Sequence, residues 1–113
     1  MQANYKEALT RIIKAKNRTY LDLSSLNLMD ISILILEIAK LSNLKKLYLG
    51  YNQIKVIPNS IGNLINLETL YLDDNRIKSI PDSIGNLTNL RYLNLRNNQI
   101  KFIPDSLKPI TII

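Results

Sequence analysis

The sequence has neither cysteine nor histidine among its 113 residues. Without cysteine there is no disulfide framework and no thiolate zinc site. Without histidine the commonest general base and metal ligand is missing. Glycine is scarce: Gly50, Gly62 and Gly85 are the only three, and none belongs to a glycine-rich phosphate-binding loop. Long apolar runs are lacking too, since the nearest, Ile31 to Leu36, is far short of a membrane span. The opening residues, Met1 to Glu7, have no apolar centre of the signal-peptide kind. The expectation is a soluble, cytoplasmic, single-domain chain with no membrane partner, metal or cofactor.

What is present is order. Hydrophobic residues make up 46% of the chain, enough for a core, and 15 basic against 9 acidic residues leave a net charge of +6. That excess favours solubility and attraction to acidic partners without specifying a fold. The spacing is more informative. Leu44, Leu67 and Leu90 each open a Leu-x-x-Leu-x-Leu-x-x-Asn-x-Ile segment, every one 23 residues after the last. The agreement continues beyond it: Ile57-Pro58-Asn59-Ser60-Ile61-Gly62-Asn63-Leu64 recurs as Ile80-Pro81-Asp82-Ser83-Ile84-Gly85-Asn86-Leu87. A shorter echo is Ile103-Pro104-Asp105-Ser106-Leu107. An earlier, divergent unit places Leu21, Leu23, Leu28 and Ile31 where the second has Leu47, Leu49, Ile54 and Ile57. It carries Leu26 in place of the asparagine and lacks the proline. The units run 18–43, 44–66, 67–89 and 90–107, between a segment 1–17 and a tail 108–113.

Alternation in Leu47-Tyr48-Leu49 puts the leucines on one side of a strand and the tyrosine on the other. Each unit buries its leucines only by stacking on neighbours, which gives a parallel sheet on a concave side. Asn52, Asn75 and Asn98 fall where the chain leaves the strand, and their amides can satisfy backbone groups there. Pro58, Pro81 and Pro104 disfavour helix at the preceding residue, so the convex segments should be extended or 3₁₀.

This pattern resembles the leucine-rich-repeat family over residues 18–107. The Ile-Pro-x-Ser-Ile-Gly-Asn-Leu phrasing is similar to the 23-residue subclass of bacterial and plant intracellular proteins, including Ras-pathway scaffolds. The opening, a helix followed by Leu21-Asp22-Leu23-Ser24, looks like the start of bacterial proteins that sometimes continue into a Ras-like GTPase module. No such module lies within these residues. The resemblance implies an α/β fold, a right-handed solenoid shaped as a short horseshoe, and a non-catalytic scaffold or adaptor that binds proteins.

A solenoid exposes core at both ends, so each end needs a cap. Tyr5, Ala8, Leu9, Ile12 and Ile13 have the spacing of one helical face. Asn4 is a candidate N-cap with Glu7 completing a capping box, and Asn17 a terminator. Asp30 is a candidate N-cap for a second short helix, whose Ile33, Leu34, Ile35 and Leu36 exceed what one face can bury. At the other end, Leu107, Ile110, Ile112 and Ile113 either cover the last strand or support a weak homodimer.

The outward strand positions define the candidate binding surface: Tyr20, Lys46, Thr69 and Tyr92 in one column, and Asp22, Tyr48, Tyr71 and Asn94 in the next. Beyond them come Ser24, Gly50, Asp73 and Arg96, then Ser25, Tyr51, Asp74 and Asn97. Five of the six tyrosines fall here. Tyrosine offers large area, few rotatable bonds and a polar tip, although aromatic residues also favour strands for their own sake. Lys45, Lys46, Arg91 and Arg96 flank Glu68, Asp73 and Asp74, and such mixed signs point to a protein or peptide partner. A lysine column, Lys55, Lys78 and Lys101, reads as a solubilising surface or else as a stripe for nucleic acid. Asp73 and Asp74 lie on an open sheet with nothing to shift their pKa, so catalysis is not expected.

Overall fold

The first leucine of each repeated Leu-x-Leu segment sits at the centre of a three-residue strand and points inward. The computed structural model describes residues 3–107 and 110–113; residues 1, 2, 108 and 109, in the expected cap and tail, lie outside the described residues. Helix α1 (Tyr5–Lys14) precedes strand β1 (Tyr20–Asp22) and helix α2 (Ser32–Ile38). Strands β2 (Lys46–Tyr48), β3 (Thr69–Tyr71), β4 (Tyr92–Asn94) and β5 (Thr111–Ile112) follow. All five strands pair in parallel in sequence order. Leu21, Leu47, Leu70, Leu93 and Ile112 are in register across the sheet. Leu47, Leu70 and Leu93 are wholly buried. Behind β2, β3 and β4 the proline-led segments make 3₁₀ turns at Asn59–Asn63, Asp82–Asn86 and Asp105–Leu107, as expected from the extended backbone at Pro58 and Pro81.

The asparagines hold the coils together. Asn52 Nδ2 donates to the carbonyls of Leu23, Leu49 and Gly50, while its Oδ1 accepts from the amides of Leu26 and Leu28. Asn75 accepts from Ile54 and donates to Leu49, Leu72 and Asp73; Asn98 does the same from Ile77 to Leu72, Leu95 and Arg96. One side chain thus ties its own turn to the preceding coil and satisfies buried groups on both. In the first unit no coil precedes, so nothing remains to be tied, and the apolar Leu26 fits beneath the cap. The glycines of the convex turns reflect close approach. A Cβ on Gly62 would stand 2.7 Å from the Ser83 carbonyl oxygen, and one on Gly85 2.8 Å from Ser106 Cβ.

The N-terminal cap forms, with two corrections. Asn4 Oδ1 accepts from the Glu7 amide at 3.1 Å, but the Glu7 carboxylate pairs with Arg11 at 2.8 Å and does not return to Asn4. The capping box is half made because the Asn4 amide is already donated to Leu26 O, which docks the helix on the first coil. The buried face is Ala8, Ile12 and Ala15, whereas Leu9 and Ile13 are 40% and 76% exposed. Arg11 donates to Asp22 O at 3.0 Å, fixing which side of the helix meets the sheet. Asn17 ends the helical segment in the left-handed region, φ 70°.

In α2 the N-cap position is Ile31, one residue beyond the expected Asp30, yet the Asp30 carboxylate still accepts from the Ser32 amide. Leu34 and Ile35 are buried, while Ile33 and Leu36 remain exposed. At the other end the tail forms β5. Thr111 and Ile113 donate to Arg91 O and Leu93 O, and Leu95 donates to Ile113 O. Register partners Tyr20, Lys46, Thr69, Tyr92 and Thr111 show that this final coil is shortened.

Replacing Asn52 by alanine orphans the buried amides of Leu26 and Leu28 and takes a donor from the Leu23 carbonyl. Leu49 O keeps Asn75 and Gly50 O keeps the Ser25 amide. The expected loss is more than about 3 kcal/mol of stability, read as a lower urea midpoint. A loss below about 1 kcal/mol would show that the ladder is not what secures the coils.

Candidate functional site

Because the leucines of each strand are turned inward, the residues on either side of them face out together. Tyr48 and Tyr71 are register partners on β2 and β3, with ring centroids 5.0 Å apart and planes tilted by 58°. The ring of Tyr92 stacks on that of Tyr71 at 5.7 Å and 27°. This second contact was not expected from the columns, since the register partner of Tyr71 is Asn94 and that of Tyr92 is Thr69. It is a diagonal contact, within reach of aromatic side chains on adjacent strands. The result is a slanting row of three half-buried rings across β2, β3 and β4. Burial pushes the Tyr71 phenol above its ordinary pKa, and the phenols of Tyr92 and Tyr48 and the Asp73 carboxylate add to the effect. The Tyr71 ring therefore stays neutral at physiological pH.

Around the row, Lys46, Thr69, Asn94, Asp73 and Arg96 all reach the surface, Lys46 and Arg96 being exposed and the others partly covered. Asp73 lies against Gly50, where a Cβ would meet its Oδ1 at 2.6 Å. Asn94 Oδ1 accepts from the Arg96 amide. Lys45 and Glu68 approach at 3.9 Å on exposed stems, a pair of little energetic weight. Tyr20 stands apart from the stacked row, half-exposed beside Lys46.

Tyr51 differs from the strand tyrosines. It follows the sheet, with φ 56°, in a column whose other members, Ser25, Asp74 and Asn97, are also left-handed. That conformation crowds an L side chain, most of all a bulky one. At 62% exposure the ring gains little compensating burial. It rims the turn and is not part of the stacked wall.

Of the residues considered for self-association, Leu107 is buried at 3% exposure and belongs to the core, and Ile110 packs against that core. Only Ile112 and Ile113, at 37% and 39%, remain outward. Lys55, Lys78 and Lys101 are exposed as expected. Among the described residues there is no cluster of carboxylates that could hold a metal ion, and no helix is long and apolar enough to cross a membrane. Sequence reasoning missed a groove between α1 and β1, bordered by Lys14, Arg18 and Tyr20. The motif contains no signal for it, because the cap lies outside the repeats.

A family model for the leucine-rich repeat region matches residues 15–113. Among solved structures, a leucine-rich repeat protein of Leptospira interrogans is 29% identical with a TM-score of 0.62, covering all of this chain and 35% of that one. Internalin C2 of Listeria monocytogenes is 27% identical with a TM-score of 0.62, over 84% of this chain and 51% of that one. The chain thus spans about a third to a half of the solved proteins it resembles. No curated protein matches it.

Substituting Tyr51 by asparagine, the residue at the equivalent Asn97 position, should relieve the left-handed strain. The urea midpoint is expected to rise by the equivalent of about 1 kcal/mol at unchanged slope; a fall would mean the exposed ring packs more than its surface position implies.

Proposed function

This chain belongs to the leucine-rich-repeat family, and from that premise we propose that it is a non-catalytic module that binds a protein or peptide across its concave sheet. The observation that carries the reading is the contiguous row of Tyr48, Tyr71 and Tyr92, held on the solvent side of strands whose central leucines are wholly buried. Family membership supplies the general role in protein interaction. The row supports the concave sheet as the place. Its rings are stiff, pre-organised by one another and half-covered, so a partner gains aromatic contact without ordering flexible side chains. The mixed charges around it, with Lys46 and Arg96 near Asp73, give a rim suited to a polar polypeptide and poorly suited to a uniform anion.

Two other readings draw less support. Self-association through the last strand was one. The tail already covers the β4 edge, and the new edge of β5 is two residues long, a length proteins use to discourage edge pairing. A nucleic-acid stripe along Lys55, Lys78 and Lys101 was the other. Phe102 is exposed next to Lys101, but Val56 and Ser79 hold the equivalent places beside Lys55 and Lys78, so no stacking series accompanies the charges.

The test is affinity capture with the wild type and the Tyr48→Ala/Tyr71→Ala variant. Captured partner is expected to fall tenfold or more, roughly the effect of losing an aromatic anchor. Stability should drop by only about 1–2 kcal/mol, the scale of a ring pair on a surface. Equal capture by both proteins would remove the wall from the function.

A further inference from the structure

The groove between α1 and β1 holds about 210 Å³ and is bordered by Arg11, Lys14, Arg18, Tyr20 and Asp22. Its cations are not equivalent. Arg11 is committed, with Nε on Glu7 at 2.8 Å and Nη1 on Asp22 O at 3.0 Å. Lys14 and Arg18 are exposed, and among the described residues their side chains make no ion pair or hydrogen bond. Lys46, next to Tyr20 across the β1–β2 pairing, is in the same condition. The one carboxylate present, Asp22, is engaged by Ser24, whose amide and hydroxyl both donate to its Oδ1 at 2.9 and 2.6 Å. Two unpaired cations, Lys14 and Arg18, therefore border the concavity and a third, Lys46, stands beside Tyr20, against the single carboxylate of Asp22.

We propose that this groove receives an acidic segment of a protein partner, with carboxylates on Lys14, Arg18 and Lys46 and the adjoining chain passing onto the tyrosine row. The proposal rests on the concave-sheet reading and deepens it by naming the chemistry at one end. A guanidinium fork takes a carboxylate through two parallel hydrogen bonds, and the lysines add point charges. The half-exposed Tyr20 ring gives the aliphatic stem of a glutamate an apolar side to lie on. At about 210 Å³ the cavity admits side chains, not a folded surface. A polynucleotide fits less well, because Glu68, Asp73 and Asp74 lie further along the sheet. A continuous phosphate chain would meet repulsion there, whereas an acidic segment followed by neutral or basic residues would not.

The probe is a labelled triglutamate peptide, followed by fluorescence anisotropy and by amide chemical shifts of the protein. Shifts are expected at Arg18, Tyr20 and Lys46. The Lys14→Glu/Arg18→Glu variant should weaken binding about tenfold or more, as loss of charge-assisted hydrogen bonds does. The Lys78→Glu/Lys101→Glu variant makes the same change in net charge elsewhere and should leave the affinity within about twofold, because distant exposed charges are screened. Equal weakening by the two variants would overturn the proposal, reducing it to net charge. So would oligothymidylate perturbing the groove more strongly than the peptide. The short peptide reaches only the groove, so Tyr48→Ala/Tyr71→Ala should bind it as the wild type does. Failure of the groove and failure of the tyrosine wall are thereby separable.

Discussion

No coil of this chain can bury its leucines alone. Leu47, Leu70 and Leu93 lose their water only because a coil lies on each side, and every other feature of the fold serves to bring coils to that spacing. The asparagine ladder gives the stacking direction and register: a side-chain amide at the turn bonds backward to a carbonyl of the preceding coil and forward to its own. The glycines set the approach on the convex side, where even a methyl group would collide with the next turn. Hydrophobic burial drives the assembly, but it is non-directional. The polar ladder and the close convex approach convert it into one geometry.

A stack of identical units has no natural end, and the two ends are closed by different means. At the first coil, a helix with Ala8 and Ala15 on its inner face comes close, and its Asn4 amide takes the Leu26 carbonyl. Tyr5 reaches across to accept from the amides of Met29 and Asp30. At the last coil the chain turns back early and pairs as a two-residue strand. The second solution is thinner: Ile103 is 36% exposed where its counterparts Ile57 and Ile80 are at 4% and 7%. Local stability should decline toward that end, since fewer apolar contacts and more exposed backbone bonds mark the regions that open first.

What could be read from the sequence follows from the same constraint. Repetition made the strands, the inward leucines, the turn asparagines and the 3₁₀ segments legible, because each recurs where its neighbour requires it. The caps were legible only as amphipathic spacing. That spacing marked Ile13 as apolar but could not say that Arg11, tied to Asp22 O, leaves it on the outer side. The columns placed Tyr48 beside Tyr71, yet the Tyr92 contact is diagonal and depends on ring orientation, which no column records. The conformation of Tyr51 beyond the strand was likewise hidden. Its left-handed backbone belongs to the turn, and asparagine and serine elsewhere in that column tolerate it more easily.

In a solenoid of this kind the fold prescribes the inward residues and leaves the outward ones nearly free, so the outward chemistry carries the functional information. Polar or charged residues would keep a concave sheet soluble at no structural cost. Instead, three aromatic rings stack in the open on successive strands, and a fourth is held at the adjoining turn in a conformation that disfavours it. Neither is required by the core. The phenol groups give such a surface polar tips, and desolvation among the rings keeps Tyr71 un-ionised. An aromatic strip running from a cationic groove toward a zone of mixed charge is directional along the sheet. A ligand matched to it would bind in one orientation, acidic end toward the cap.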